Sequence, residues 1–158
     1  EATKAKAEKG DASAQLSLGT MYQIGLGVLK DDKEAVKWYR KAAEQGEAYA
    51  QLHLGLMYAK GEGIPEDDKE AVKWYRKAAE QGNALAQFSL GKAHDGGEGA
   101  LKDKVSAYAW YNIAAANRFP PAGEEKDFVA KEMTADQIAK AEALVKEMLK
   151  KNPKLLNK

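Results

Sequence analysis

A 36-residue repeat constrains the fold of this chain more than any other feature of its sequence. Residues 11–46 and 47–82 are identical at 26 of 36 positions and share the unbroken stretch DDKEAVKWYRKAAEQG, while residues 83–118 form a more divergent third unit. Residues that recur with this spacing are Trp38, Trp74 and Trp110; Tyr39, Tyr75 and Tyr111; Gly19, Gly55 and Gly91; and Gly25, Gly61 and Gly97. A fixed period of this length indicates stacked structural units that each bury a face against their neighbours.

Each unit is predicted to be a pair of helices. Small and apolar residues recur at helical spacing in two segments of each unit. Asp31 and Asp67 stand where a second helix needs an N-cap, and Gly10, Gly46 and Gly82 stand where it would end in a left-handed residue. The strings GLG, GEG and GEG between the two segments predict a tight turn. A phosphate-binding loop would require a preceding strand and a following Lys-Ser or Lys-Thr, which the sequence does not provide.

The same spacing predicts where the array begins and ends. Residues 1–10 align with the end of a unit, so we expect the last turns of a preceding second helix and an array cut from a longer one. Arg118 replaces the terminal glycine and Pro120-Pro121 follows, so we expect the repeat register to stop there. The predicted division is therefore residues 1–118 as repeats (1–10, 11–46, 47–82 and 83–118) and residues 119–158 as a C-terminal capping segment.

The C-terminal segment is predicted to contain a short helix near residues 122–133 and a longer one from Thr134 to about Lys151, where Thr134 and Gln137 form a capping-box pattern. An apolar stripe follows the longer helix: Ile138, Ala141, Val145, Met148 and Leu149. In the third unit the positions expected to face outward change from Val36, Lys37 and Lys41 to Tyr108, Ala109 and Ile113. This exchange predicts that the C-terminal helix folds back as the cap that a solenoid requires. The tail KKNPKLLNK is expected to fray, with Leu155 and Leu156 able to pack locally.

Composition excludes several functional classes. With 44% hydrophobic and 31% charged residues, the chain is too apolar for disorder, and it has no apolar run long enough to span a membrane. A formal net charge of +1 disfavours binding to a nucleic-acid backbone. The absence of cysteine excludes disulfides and thiolate chemistry but leaves the compartment open.

The pattern A-x-A-Q-x-x-L-G-x-x-Y, G-x-G, D, A-x-x-W-Y-x-x-A-A-x-x-G resembles the Sel-1-like repeat family, which is related to the tetratricopeptide repeats. Its positions in the first unit are Ala12, Ala14, Gln15, Leu18, Gly19, Tyr22, Gly25, Gly27, Asp31, Ala35, Trp38, Tyr39, Ala42, Ala43 and Gly46. The resemblance implies an all-α, right-handed superhelical solenoid of antiparallel helix pairs, and members that act mostly as scaffolds in bacterial and eukaryotic complexes. In the third unit His94 replaces the tyrosine of the pattern. A plain tetratricopeptide array fits the period and the turn glycines less well.

Variation between units predicts a candidate binding surface on the first helices. On a helical wheel, one side of each first helix keeps its residues while the opposite side changes, and identity between stacked units marks packing. If the first helices line a concave groove, the varied positions that would contact a partner are Ser13, Ser17, Thr20 and Ile24, then Tyr49, His53, Leu56 and Lys60, then Leu85, Ser89 and Lys92. An equally weighted interpretation is that these positions are merely exposed and unconstrained.

Catalysis is not predicted. His53 and His94 are the two histidines, and the repeat alignment places them on different faces of their helices, so no metal site, cofactor or catalytic residue is assigned. No nucleophile has a positioned activating partner. The repeated Trp-Tyr pairs are interpreted as core rather than as stacking platforms for bases or sugars, because they occur at helical spacing beside alanines.

The sequence therefore predicts a non-catalytic scaffold that binds a peptide or protein partner in the groove. The alternative is a regulatory or spacer domain of a larger enzyme or cell-envelope-associated protein, and a third hypothesis is a lectin-like or cell-wall-binding protein. Neither nucleic-acid binding nor membrane insertion is expected. The oligomeric state is left open with a monomer favoured, and the resemblance together with the start at Glu1 favours a periplasmic or secreted location over the cytoplasm.

Overall fold

The computed structural model describes residues 1–157 and is helical throughout. Within this range there are nine α-helices and no strand. The helices are α1 Ala2–Glu8, α2 Ala12–Ile24, α3 Asp32–Glu44, α4 Ala48–Lys60, α5 Asp68–Glu80, α6 Ala84–Gly96, α7 Lys104–Ala116, α8 Pro120–Ala130 and α9 Ala135–Lys151, followed by a 3₁₀ turn at Pro153–Leu155. None of these helices is both long enough and apolar enough to cross a bilayer.

The chain forms two compact units, Glu1–Trp74 and Tyr75–Lys158, and the division falls inside α5. In the first unit α1 contacts α2, α2 contacts α3, and α3 contacts α4. In the second unit α6 contacts α7, and α7 also contacts α8 and α9. Helices that are consecutive in the chain are therefore packing neighbours, as the repeat predicts.

The predicted caps form at the helix ends. The Asp31 carboxylate accepts hydrogen bonds from the backbone N–H groups of Lys33 and Glu34, at 3.0 and 3.1 Å, which satisfies donors that the first turn leaves unpaired. Gly46 follows the end of α3 with φ +91°, a left-handed conformation that glycine adopts without the steric cost of a Cβ. Helix boundaries thus follow from local residue choice.

The recurring aromatic residues lie in the core, as predicted. Trp38, Trp74 and Trp110 are each 6% exposed, and Tyr39 and Tyr111 are 0% and 1% exposed. In the first unit Trp38 packs with the list Ala7, Ala14 and Leu18. This cluster also shows that α1 occupies the position expected for the end of a preceding second helix.

A buried glutamine links each helix pair to the preceding second helix. The side-chain amides of Gln15 and Gln51 donate to the backbone carbonyls of Ala7 and Ala43, at 3.1 and 3.2 Å, and Gln87 donates to Ala79 at 3.1 Å. The three glutamines are at most 4% exposed, so these bonds satisfy amides that would be costly to bury unpaired. The sequence placed Gln15 on the core face but did not predict this hydrogen bond.

The C-terminal helices cover α7, as the apolar exchange in the third unit predicts. Tyr108 and Tyr111 of α7 form a cluster with Val129 of α8 and Ala141 of α9. Tyr108, Ala109 and Ile113 are all buried. The prediction that the equivalent Val36 faces outward is wrong, because α3 contacts both α2 and α4 and so buries a wide arc of its surface, which leaves Val36 6% exposed.

The helix boundaries of this segment differ in part from expectation. Thr134 and Gln137 form the predicted capping box at the start of α9. The helix expected near residues 122–133 is α8, Pro120–Ala130, and it begins 36 residues after α6, so the repeat spacing persists one helix further than predicted. Arg118 makes this continuation possible by adopting φ +62° in place of the usual glycine.

Candidate functional site

The varied positions on the first helices are accessible to solvent in both units. In the first unit Ser13, Ser17 and Ile24 of α2 are exposed and Thr20 is partly buried. The varied positions of α4 are Tyr49 and Lys60, which are exposed, and His53 and Leu56, which are partly buried. In the second unit Leu85 and Lys92 are exposed and Ser89 is partly buried.

Four of these residues line one concavity in the first unit. Its volume is about 390 Å³, and its lining is Leu16, Ser17, Thr20, Met21, Leu26, Tyr49 and His53. Ser17 and Thr20 come from α2, and Tyr49 and His53 come from α4, so the structure brings together side chains that the repeat alignment placed on adjacent helices. Ser13, Ile24, Leu56 and Lys60 lie outside this lining.

Three lining residues were not identified from the sequence. Leu16 and Met21 lie at the border between the conserved and varied sides of α2. Leu26 lies in the turn after α2 and is 62% exposed. The corresponding residues of the other units are Glu62 and Glu98, so the same variation between units would have identified Leu26 if the comparison had been extended from the helix into the turn.

The hydroxyl groups of the concavity are engaged with the protein itself. Ser17 Oγ donates to the Ser13 carbonyl at 3.0 Å, and Thr20 Oγ1 donates to the Leu16 carbonyl at 3.1 Å. The Tyr39 hydroxyl donates to Gln23 Oε1 at 2.6 Å and lies 3.2 Å from Thr20 Oγ1. The lining therefore presents mostly apolar surface, with hydroxyl oxygens that still have lone pairs to accept a hydrogen bond.

His53 contributes a flat ring to the lining. Its imidazole stacks on Tyr39 with a centroid separation of 5.1 Å and an interplanar angle of 12°. Burial lowers the pKa of His53 below its ordinary value of 6.5, and the negative charge of Glu47 opposes this shift. No Asp, Glu, Lys or Arg side chain lines the concavity, so at neutral pH it carries no formal charge.

We expect the stability of the protein to depend on the protonation of His53. Because the pKa is lowered in the folded state, the unfolded chain takes up the proton first as the pH falls. The stabilisation due to the neutral imidazole is complete above about pH 6.5 and is lost below it. NMR titration of the ring protons should give a folded-state pKa below 6.5, and His53→Gln should remove this part of the pH dependence of unfolding. A folded-state value of 6.5 or above would contradict the prediction.

In the second unit the varied positions are amphipathic. The Lys92 ammonium lies 5.6 Å from the Phe88 ring centroid, and Ser89 Oγ donates to the Leu85 carbonyl at 2.9 Å. Leu85 is 37% exposed. These side chains can offer apolar contact together with one mobile positive charge.

The described part of the chain brings no catalytic or metal-binding cluster together. Among residues 1–157 no group of three or more His, Asp or Glu side chains is placed to hold a metal ion. His94 Nδ1 lies 2.9 Å from the Leu101 carbonyl oxygen, a contact that fixes the turn between α6 and α7. The arrangement is suited to binding through shape and apolar contact.

Comparison with known proteins identifies the repeat. Three successive stretches match the model of the Sel1 repeat, at residues 12–47, 48–83 and 84–118. Comparison with curated proteins returned no match.

Two solved structures resemble the chain closely. One is c5321, a protective antigen present in uropathogenic Escherichia coli strains that displays an SLR fold. It has a TM-score of 0.88 and 39% identity, over 97% of this chain and 33% of that one. The other is a Sel1 repeat protein from Oxalobacter formigenes, with a TM-score of 0.67 and 48% identity, over 70% of this chain and 46% of that one. The chain thus spans about a third of the first protein and less than half of the second. These matches confirm the all-helical solenoid fold class, and since the repeat model covers most of the sequence, the chain belongs to the Sel1 repeat family.

Proposed function

We propose that the chain is a non-catalytic interaction module that holds a peptide or protein partner against the first helices of its repeats. The observation that carries the proposal is the uncharged concavity of about 390 Å³ between α2 and α4, which four of the varied residues line. Sel1 repeat proteins commonly serve as scaffolds for other proteins, which supports the same class of function.

The lining favours an apolar segment of a partner. Tyr49 is 59% exposed and Leu26 is 62% exposed, so both can lose a large accessible area when a partner binds. Tyrosine is enriched among the residues that dominate binding energy, because its ring buries much apolar surface and its hydroxyl keeps a polar contact. A charged side chain of the partner would find no counter-ion in this concavity, so an aliphatic or aromatic side chain is the preferred occupant.

We expect Tyr49→Ala combined with Leu85→Ala to weaken partner binding at least about ten-fold, since the loss of a dominant contact costs more than about 1 kcal/mol. The partner is first captured from lysate and identified by mass spectrometry, and its affinity for purified protein is then measured by calorimetry. Phe128→Ala is the matched control, because Phe128 is an aromatic residue of α8 that is 66% exposed and outside the varied positions. Unchanged affinity in the double variant, with its helical circular dichroism intact, would remove the groove proposal.

A second candidate is a spacer or regulatory segment within a longer protein. It is favoured by the greater length of the two similar structures, of which this chain covers 33% and 46%. A spacer would tolerate the double variant without loss of any interaction made by the longer protein. The same calorimetric comparison therefore separates the two candidates.

A further inference from the structure

The C-terminal tail lies in a slot at one edge of the second unit. Leu155 is 3% exposed, and its carbonyl oxygen accepts hydrogen bonds from the side-chain amides of Gln87 and Asn117, at 2.8 and 2.7 Å. The backbone N–H of Asn157 donates to Asn117 Oδ1 at 2.7 Å. The expectation that this tail frays is therefore wrong for residues 152–157, because two carboxamides hold its backbone.

A second contact lets the tail approach the helix ends closely. The Asn152 side chain donates to the Glu80 carbonyl at the end of α5, at 2.8 Å. A Cβ added to Gly82 would lie 2.5 Å from the Lys154 carbonyl oxygen, so the tail passes directly over this glycine. At the equivalent Gly46 a Cβ would meet nothing within 4 Å.

The first repeat has the same carboxamides but closes them on itself. Gln45 occupies the position of Asn117, and its side-chain amide donates to Gln15 Oε1 at 2.7 Å and to the Gly10 carbonyl at 3.0 Å. Asn117 likewise donates to Gln87 Oε1, at 2.8 Å, but its side chain is one methylene shorter. Its second hydrogen bond goes to Leu155, which takes the place of the glycine carbonyl. The change from glutamine to asparagine thus leaves room for a peptide.

We propose that this slot is a binding site for an extended, leucine-containing peptide segment, which residues 152–157 occupy in cis and which a segment of the same pattern can occupy in trans. The slot reads three features of its ligand: a leucine side chain, the carbonyl of that leucine, and an N–H two residues later. These contacts require no charge on the peptide. Gln87 and Asn117 do not belong to the varied positions, so the site is independent of the proposed groove.

The tail acts as a built-in competitor for this site. A short tether gives the attached segment an effective concentration on the order of millimolar, so a free peptide of equal intrinsic affinity must reach a similar concentration to displace it. The unaltered protein is therefore expected to ignore micromolar peptide. A variant whose own tail has been weakened exposes the site.

The test measures binding of a fluorescent NPKLLN peptide, which copies residues 152–157, to full-length variants by fluorescence anisotropy. Leu155→Asp places a charge in the slot and should release the tail, so that the peptide binds at least ten-fold more tightly than to the unaltered protein. Adding Asn117→Gln restores the self-closed arrangement of the first repeat and should abolish this binding. A peptide with alanine at the position of Leu155 should bind at least ten-fold more weakly.

Hydrogen exchange at residues 154–157 reports tail release independently of peptide binding. Phe128→Asp is the matched control, since it adds the same charge at an exposed apolar position of the same unit, and it should neither release the tail nor gain peptide binding. If Leu155→Asp lowers the helical circular dichroism, Leu155→Ala replaces it as the milder variant. A folded variant with a released tail that does not bind the peptide overturns the proposal, as does equal binding by the variant that carries Asn117→Gln.

Discussion

Replacing Tyr111 with alanine is expected to lower the free energy of unfolding by about 3–5 kcal/mol, the cost typical of deleting a large buried aromatic side chain. Tyr111 is 1% exposed, and its ring tilts against Phe88 with centroids 5.7 Å apart. It also belongs to the cluster that joins α7 to Val129 of α8 and Ala141 of α9. The cavity left by alanine would therefore loosen the packing of both C-terminal helices.

Urea unfolding followed by circular dichroism measures this effect. Tyr111→Phe keeps the ring and should retain most of the stability, while Phe128→Ala, at a position that is 66% exposed, should change it by less than about 0.5 kcal/mol. A loss of less than about 1 kcal/mol for Tyr111→Ala would mean that the ring does not organise this core.

A pair of glycine substitutions is expected to give effects of opposite sign. A Cβ at Gly19 would lie 2.6 Å from Cδ1 of Tyr39, whose ring is fully buried, so Gly19→Ala forces the ring or the helix to move. Overpacking of this kind costs about 1–3 kcal/mol, which exceeds the gain of about 1 kcal/mol from the higher helix propensity of alanine. Gly19→Ala should therefore destabilise the protein.

Gly123 in α8 provides the matched control. A Cβ there would meet only the Ala115 Cβ, at 3.9 Å, which is an ordinary contact. Gly123→Ala should therefore show the helix-propensity gain alone and stabilise the protein by about 0.5–1 kcal/mol. Thermal unfolding of the two variants measures the difference, and stabilisation by both would show that the Tyr39 ring has space to retreat.

The fold was predictable because repetition supplies its own internal comparison. Trp38 and Tyr39 could be assigned to the core since their positions recur in each unit with the same residue type, and both are buried. The error at Val36 has the same origin in reverse. A helical wheel assumes one buried face, whereas a helix that packs between two neighbours buries a wider arc.

The candidate site was only partly predictable. Tyr49 and His53 were identified by their variation between units, but Leu26 lies in a turn, where a helical wheel gives no orientation. The slot for Leu155 depends on a single methylene that Asn117 lacks, and on a tail that meets α6 and α7 only in three dimensions. Residues 68 or more positions apart in the sequence carry no periodic signal that would have joined Gln87 to this tail.

The buried glutamines bear on how such chains change length during evolution. Each of Gln15, Gln51 and Gln87 reaches back eight residues to a carbonyl of the preceding helix, across a junction that is the same in every copy. Duplication or loss of a whole 36-residue segment recreates that junction, whereas an insertion of one or two residues within it separates the amide from its acceptor. Growth and shrinkage by complete segments is therefore the path that preserves every buried polar contact of this kind.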